Sequence, residues 1–234
     1  MAISDELTRI QTAKADIKAS IEAKGVTIPS DALIDQYADY VDEIQTGGGG
    51  GNEDLIDLIE GDIVTLNIPS GTTKIRGNAF SSYESLTSVT IPDSVTNIGD
   101  SAFGGCTSLT SIIIGSGVTS INYQAFTWCT SLTSVTIPSS VTSIGNGAFF
   151  NCTGLTSVTI GSGVTSIGTS VFYNCSRLTS VTIQATTPPT LANANAFNNT
   201  NNCIIYVPAA SVNAYKTATN WSSLASRIQP IPTE

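Results

Sequence analysis

Histidine is missing from the 234-residue sequence, and charged residues are scarce and mostly acidic. Without imidazole, histidine-dependent catalytic triads and histidine metal sites are excluded. Lysine and arginine number 9 against 18 acidic residues, which gives a net charge of -9. Nucleic acid and anionic membranes attract basic patches, so this composition predicts neither as a partner.

Long apolar runs are also lacking. No stretch approaches the roughly 18 residues of a membrane span, so we predict no membrane insertion. The first residues, MAISDELTRIQ, have neither the basic start nor the apolar core of a secretory signal. We therefore expect the chain to stay in the cytoplasm or to leave by assembly into a virion. A signal sequence upstream of Met1, and with it a cell-surface location, is the alternative.

A repeat fills most of the chain. The stretch LTSVTIPDSVTNIGDSAFGGCTS begins at Leu86 and returns at Leu109, Leu132 and Leu155, always after 23 residues. A degenerate copy opens at Ile63 and a truncated one at Leu178. A fixed period of this length is typical of a solenoid, in which each coil buries its apolar side chains against its neighbours.

The apolar residues of one copy predict which side chains point inward. Val89 and Ile91 lie two apart, as on one face of a strand, whereas Ser88 and Thr90 point outward. Stacked copies then form vertical files of leucine, phenylalanine and cysteine. The predicted files are Leu86, Leu109, Leu132, Leu155 and Leu178; Phe80, Phe103, Phe126, Phe149 and Phe172; and Cys106, Cys129, Cys152 and Cys175.

The pattern L..V.IP..V..IG..AF..C, found from Ile63 to Val207, resembles the BspA-type leucine-rich repeat of bacterial surface proteins, gut-microbe genomes and some bacteriophages. The tail CIIYVPAASVNAYKTATNW resembles the segment that caps such arrays. We therefore predict a β-rich solenoid of about five to six 23-residue leucine-rich repeats with capping elements, beside a small α-helical amino-terminal module. The family implies a binding or adhesion scaffold but no particular ligand.

The amino-terminal module carries a heptad stripe. The spacing predicts a helix over 4–24 with apolar residues alternately four and three apart, which is typical of a coiled coil. One interpretation is a homo-oligomer through this helix, with Lys14 setting the register. The other is a helical hairpin that folds back on residues 31–45, and such a hairpin could still trimerise. The stripe consists of Ile3, Leu7, Ile10, Lys14, Ile17 and Ile21.

Within this module, the stretch QTAKADIKASIEAKGVTIPSDALIDQYADYVDEI resembles amino-terminal stretches of structural proteins predicted in gut bacteriophages, which implies a module that docks to virion proteins or oligomerises. Five glycines, Gly47 to Gly51, then predict a flexible linker. The expected organisation is a helical hairpin or coiled coil over 1–45, a linker over 46–52, an amino-terminal cap over 53–62, the solenoid over 63–202 and a carboxy-terminal cap over 203–234. The leading hypothesis is a virion appendage or decoration protein that adheres to a host surface; the alternatives are a bacterial adhesin and a purely structural protein.

Aromatic residues fall at or near the variable turn before each cysteine. We favour partial packing between successive turns as their explanation; the alternative is contact with a glycan or a protein on a host surface. These ligand-contact candidates are Tyr123, Trp128, Phe150 and Tyr173.

The remaining polar and cysteine patterns favour structure over chemistry. The outward serine and threonine side chains suit an exposed strand surface. A flat array of hydroxyls would alternatively bind ordered water, as in ice-binding solenoids, or a glycan. Ile113 interrupts the threonine file, which counts against ice binding. The file cysteines have apolar neighbours, which favours free buried thiols over disulfides or a soft-metal stripe. Zinc sites usually keep two ligands within a few residues, and acidic side chains in the repeats are too few for calcium or paired-carboxylate catalysis. We predict no metal, no cofactor and no catalytic residue.

Overall fold

The structure, a computed structural model, describes residues 65–233, which belong to one compact unit. The predicted helical module over 1–45, the predicted linker over 46–52 and the predicted amino-terminal cap over 53–62 lie outside the described residues. Within 65–233 the chain winds into coils, each built from one longer strand, a tight turn, one two-residue strand and a second, wider turn. The predicted β-rich solenoid is confirmed.

Two sets of strands line two faces of the solenoid. The longer set is β1 Thr65–Asn67, β3 Ser88–Ile91, β5 Ser111–Ile114, β7 Ser134–Ile137, β9 Ser157–Ile160, β11 Ser180–Ile183, β13 Ile204–Val207 and β14 Ile228–Pro230. The short set is β2 Lys74–Ile75, β4 Asn97–Ile98, β6 Ser120–Ile121, β8 Ser143–Ile144, β10 Ser166–Ile167 and β12 Thr190–Leu191.

All strand pairs among the described residues are parallel and join one coil to the next. The short strands form one six-stranded sheet, in the order β12-β10-β8-β6-β4-β2. The longer strands form two sheets, β1-β3-β5 and β14-β13-β11-β9-β7, so the ladder on this face is interrupted between β5 and β7. The register follows the 23-residue period, since Ser88 pairs with Ser111 and Ser157 with Ser180.

The core consists of the predicted files. In each longer strand, alternate residues are buried, as Val89 and Ile91 show. The phenylalanine rings of neighbouring coils lie nearly parallel, with centroids 5.3 Å apart for Phe103 and Phe126. Each file cysteine donates its thiol proton to the carbonyl of the phenylalanine in the preceding coil, for example from Cys129 Sγ to the Phe103 oxygen at 3.2 Å. The cysteines therefore join the coils by hydrogen bonds as well as by packing.

Threonine hydroxyls add further hydrogen bonds between coils. The Thr110 hydroxyl donates to the Thr87 carbonyl at 3.0 Å, and the Thr179 hydroxyl donates to the Thr156 carbonyl at 3.0 Å. Thr119 and Thr142 do the same on the way into the short strands. These threonine hydroxyls thus donate hydrogen bonds to backbone carbonyls of the preceding coil.

Alternation of proline and glycine coils has a steric cause. The turn after β3 reads Pro92-Asp93-Ser94, whereas the next coil has glycine at positions 115 and 117. A Cβ on Gly117 would overlap the carbonyl oxygen of Asp93. The glycine coil therefore lies too close to the backbone of the proline coil beneath it to accept a side chain at this position.

The carboxy-terminal segment closes the last coil. It contains the helix α1, Val212–Thr217, flanked by 3₁₀ helices at Ala209–Ser211 and Ser222–Arg227. Trp221 is buried, and its indole nitrogen donates to the Pro189 carbonyl at 2.8 Å. Arg227 donates from Nε to the Cys203 carbonyl at 2.8 Å. Trp221 and Arg227 therefore attach this segment to the coil that precedes it.

The asparagine-rich segment over residues 193–202 belongs to the last coil of the solenoid. This segment contains a 3₁₀ helix, Ala194–Phe197, and the ring of Phe197 is buried 5.6 Å from that of Phe172. Cys203 is likewise buried. Both files therefore continue for one more coil after the strict period has ended, because the extra residues of the last coil are accommodated in its turns.

Candidate functional site

The wide turn between each short strand and the next longer strand has an unusual backbone. In successive coils the residue before the file cysteine, or before its counterpart in the first coil, has a positive φ. This position is occupied by Ser82, Gly105, Trp128, Asn151, Asn174 and Asn202, with φ between 51° and 77°. Glycine and asparagine tolerate this conformation, and serine is small, but a bulky aromatic side chain in it is an outlier.

Trp128 is that outlier, with φ at 60° and 53% of its surface exposed. Its ring centroid lies 6.5 Å from that of Phe150, tilted by 57°. Trp128 thus combines an unfavourable backbone conformation with a side chain that is half exposed to solvent. Burial alone does not account for a tryptophan at this position, and such outliers cluster at functional sites.

Phe150 and Tyr173 occupy equivalent places in successive coils, one residue before the positive-φ position. Both are half-buried, and their rings stack at 5.3 Å with an angle of 5° between planes. Together with Trp128 they form a continuous surface over three coils, which we call the aromatic ridge (Trp128, Phe150 and Tyr173). The structure thus joins three of the four predicted contact residues.

Tyr123 lies apart from the ridge, at the start of the wide turn of its coil. It is 50% exposed and lines a groove of about 360 Å³ beside the short strands. We call this the short-strand groove; its lining includes Asp100, Asn122, Tyr123, Ser143, Asn146 and Ser166. The groove draws on several coils, so no single stretch of sequence indicates it.

The other candidate features divide between core and surface. All five cysteines are buried, and burial raises the pKa of the Cys106 thiol to about 12. The thiol is therefore protonated at neutral pH. Among residues 65–233, no cluster of three or more cysteine and acidic side chains is placed to hold a metal ion. On the longer-strand face, Ile113 is 61% exposed at the point where it interrupts the threonine file.

The predicted oligomerisation stripe lies outside the described residues. It comprises Ile3, Leu7, Ile10, Lys14, Ile17 and Ile21. In the described part of the chain, no helix has the length and apolar character needed to cross a bilayer.

Comparison with known proteins places the repeats in context. A family model described as "BspA type Leucine rich repeat region" matches residues 73–205 in six copies. A leucine rich repeat protein of T. pallidum is 25% identical with a TM-score of 0.55, covering 71% of this chain and 85% of that one. A leucine rich cell surface protein from Faecalibacterium prausnitzii is 38% identical with a TM-score of 0.51, covering 52% of this chain and 32% of that one.

A third solved structure shares the fold alone. The pneumococcal vaccine antigen PcpA is 18% identical with a TM-score of 0.59, and the match covers 72% of this chain and 40% of that one. This chain therefore spans about a third of the F. prausnitzii protein and two fifths of the pneumococcal antigen. No curated protein matches the chain.

Proposed function

This chain belongs to the BspA-type leucine-rich repeat family, and we propose that its solenoid is a non-catalytic binding module that attaches its carrier to a cell surface. The observation that carries the proposal is Trp128, which is half-exposed in a backbone conformation that suits glycine or asparagine. Exposed, rigid aromatic side chains dominate binding energy at protein surfaces. The ligand class is a surface protein or glycan.

The aromatic ridge extends along the solenoid axis. It spans three coils, which at the spacing of neighbouring strands is about 10 Å along the solenoid axis. Few charges surround it, since the repeats between Leu86 and Ile183 carry only Asp93, Asp100 and Arg177. We therefore expect adhesion through the ridge to depend weakly on salt, because screening acts on charged contacts.

Replacing Trp128 with asparagine tests the proposal. Asparagine stands at the same position in the next two coils, so we expect the free energy of unfolding of W128N to equal that of the parent or to exceed it by about 1 kcal/mol. Binding of the labelled full chain to immobilised mucin and to gut-bacterial cells, measured by flow cytometry or interferometry, should weaken about tenfold or more.

The matched control is Ile113→Thr, which removes an equally exposed apolar side chain from the longer-strand face. This variant should bind as the parent does. Unchanged binding by W128N would show that the ridge is not the adhesive surface. No binding by the parent to any of these surfaces would favour the third interpretation, a purely structural protein.

The carrier of the module is proposed in two forms. A bacterial cell surface is supported by the similarity to the F. prausnitzii cell surface protein. A bacteriophage virion, in which the protein is an appendage or decoration, is supported by the resemblance of residues 11–44 to predicted phage structural proteins. Both forms place the solenoid outside the cell, and both give the amino-terminal module the role of attachment or oligomerisation.

Disrupting the heptad stripe tests the oligomer. We expect the full chain to be a homo-oligomer, and expect Ile10→Asp combined with Ile17→Asp to reduce its mass to that of a monomer, because a charge in the seam of a coiled coil is unpaired and desolvated. Light scattering measures both masses. As a control, Ala23→Asp changes the same helix by one charge at a position off the stripe. A monomeric parent would rule out self-association through this helix.

A further inference from the structure

We propose that the short-strand groove binds a neutral polysaccharide, at a site separate from the aromatic ridge. The inference goes beyond the proposed function because it assigns a second surface and a ligand class to it. It rests on four features of the groove: its direction along the solenoid, its fixed polar groups, its charge and its single exposed aromatic ring.

The groove runs across the short strands and so along the solenoid axis. Its floor and walls come from successive coils, from Asp100 at one end to Thr190 at the other. Neighbouring strands are about 4.8 Å apart, so the hydroxyls at equivalent positions, Ser143, Ser166 and Thr190, recur at that interval. Successive rings of an extended polysaccharide have a similar spacing, so such a chain would meet the same kind of polar group at each coil.

Two polar side chains of the groove are held in place by the next coil. The Tyr123 backbone N–H donates to Asp100 Oδ1 at 3.1 Å, and the Thr169 N–H donates to Asn146 Oδ1 at 2.9 Å. The second polar atom of each side chain, Asp100 Oδ2 and Asn146 Nδ2, takes no part in these two bonds, and both residues are exposed. A fixed acceptor and a fixed donor are thus left for a ligand, at low entropic cost.

Gly168, in the coil after Asn146, leaves space for the Asn146 side chain. A Cβ on Gly168 would contact Asn146 Oδ1 and the Asn146 backbone nitrogen. The absence of a side chain at Gly168 therefore leaves room for the Asn146 amide in the orientation described. The orientation is built into the coil sequence and does not require a ligand to impose it.

Charge selects among ligands. Asp100 is the only charged residue in the lining, and no lysine or arginine contributes to it. An anionic glycan or a phosphate would have no cation to pair with and would be repelled by the aspartate. Hydroxyls of a neutral sugar can instead donate to Asp100 and accept from the Asn146 amide.

Tyr123 supplies the apolar part of the site. It is half-exposed at the edge of the groove. An aromatic face of this kind can pack against the C–H face of a pyranose ring, while hydroxyls at the ring edge reach the amides and serines of the floor. One exposed aromatic ring, Tyr123, together with the Asn146 amide and the Asp100 carboxylate thus matches the amphipathic surface of a neutral sugar.

The test uses the full chain in native affinity electrophoresis. The gels contain yeast mannan, barley β-glucan, glycogen or galactan, with polygalacturonate and hyaluronate as anionic polymers. We expect at least one neutral polymer to retard the protein and Tyr123→Ala to weaken that retardation about tenfold. Tyr123→Phe keeps the ring and should bind within about threefold of the parent. Circular dichroism of each variant shows whether the fold is retained.

The inference is overturned if no neutral polymer retards the parent, if the anionic polymers bind better, or if folded Y123A binds as the parent does. Running W128N in the same gels separates this site from the ridge. W128N should keep polysaccharide binding and lose cell adhesion. Cell adhesion lost in W128N, with no polysaccharide effect of Y123A, would leave the proposed function standing and reject the groove.

Discussion

Gly163→Ala should lower the free energy of unfolding by about 3 kcal/mol or more, although it adds only one methyl group. The Cβ of alanine would overlap the carbonyl oxygen of Ser139 in the coil below. That oxygen belongs to backbone, so it cannot move aside as a flexible side chain would. The two coils must separate locally, and the hydrogen bonds and core contacts between them weaken together. Thermal unfolding followed by circular dichroism measures the loss.

Ser140 provides the matched control because it occupies the position of Gly163 one coil earlier. There a side chain is accommodated, and its hydroxyl is buried without a hydrogen-bond partner among the described residues. Ser140→Ala removes an unsatisfied polar group, so we expect stability to be unchanged or to rise by about 1 kcal/mol. If Gly163→Ala were as well tolerated as Ser140→Ala, the close approach of the coils would not be the reason for glycine at this position.

Phe126→Ala should cost about 3–5 kcal/mol, the range for removing a large buried aromatic side chain. The Phe126 ring is buried, with the rings of Phe103 and Phe149 5.3 Å away on either side. Since those rings belong to backbones joined by hydrogen bonds, the file cannot close over the missing ring. The cavity therefore remains, and the midpoint of chemical denaturation should fall with little change in slope.

Phe150→Ala is the control for Phe126. The same residue type stands one coil further along but half in solvent, stacked on Tyr173. We expect its replacement to cost less than half as much, because less surface is removed from the core. A biphasic transition in F126A would show that the array has split into two cooperative units at the cavity. A loss below about 1 kcal/mol would contradict the rigid file.

The strict repeat made much of the fold predictable. Alternation identified Val89 and Ile91 as buried and Ser88 and Thr90 as the outer pair, and the 23-residue period predicted the strand register. Both follow from local geometry, because a strand exposes alternate faces and a solenoid repeats its pairing.

Phe197 could not be placed in the same way. It lies 25 residues after Phe172, and Cys203 lies 28 after Cys175. The inserted residues conceal the period, whereas in three dimensions they are accommodated in turns and the buried rings still meet. Only the packing shows that these residues belong to the files.

The sequence identified the candidate contact residues by their type, but it did not indicate which of them lie together. The sequence groups Tyr123 with Trp128, whereas in the structure Tyr123 lines the short-strand groove and Trp128 belongs to the aromatic ridge. The signal for Trp128 was available: the equivalent residues Gly105, Asn151 and Asn174 are those that accept a positive φ. The short-strand groove had no comparable signal, because its lining is assembled from positions 23 residues apart.

The last strand also bears on whether these solenoids polymerise. A stack of parallel strands with similar side chains is close to the arrangement in amyloid, and an open end could act as a template for another chain. At β14, the Ile231 N–H donates inward to the Val207 carbonyl at 2.8 Å, so the preceding position, Pro230, falls on the outer edge. Proline has no N–H to offer there. The final strand thus works against fibril elongation at this end of the solenoid.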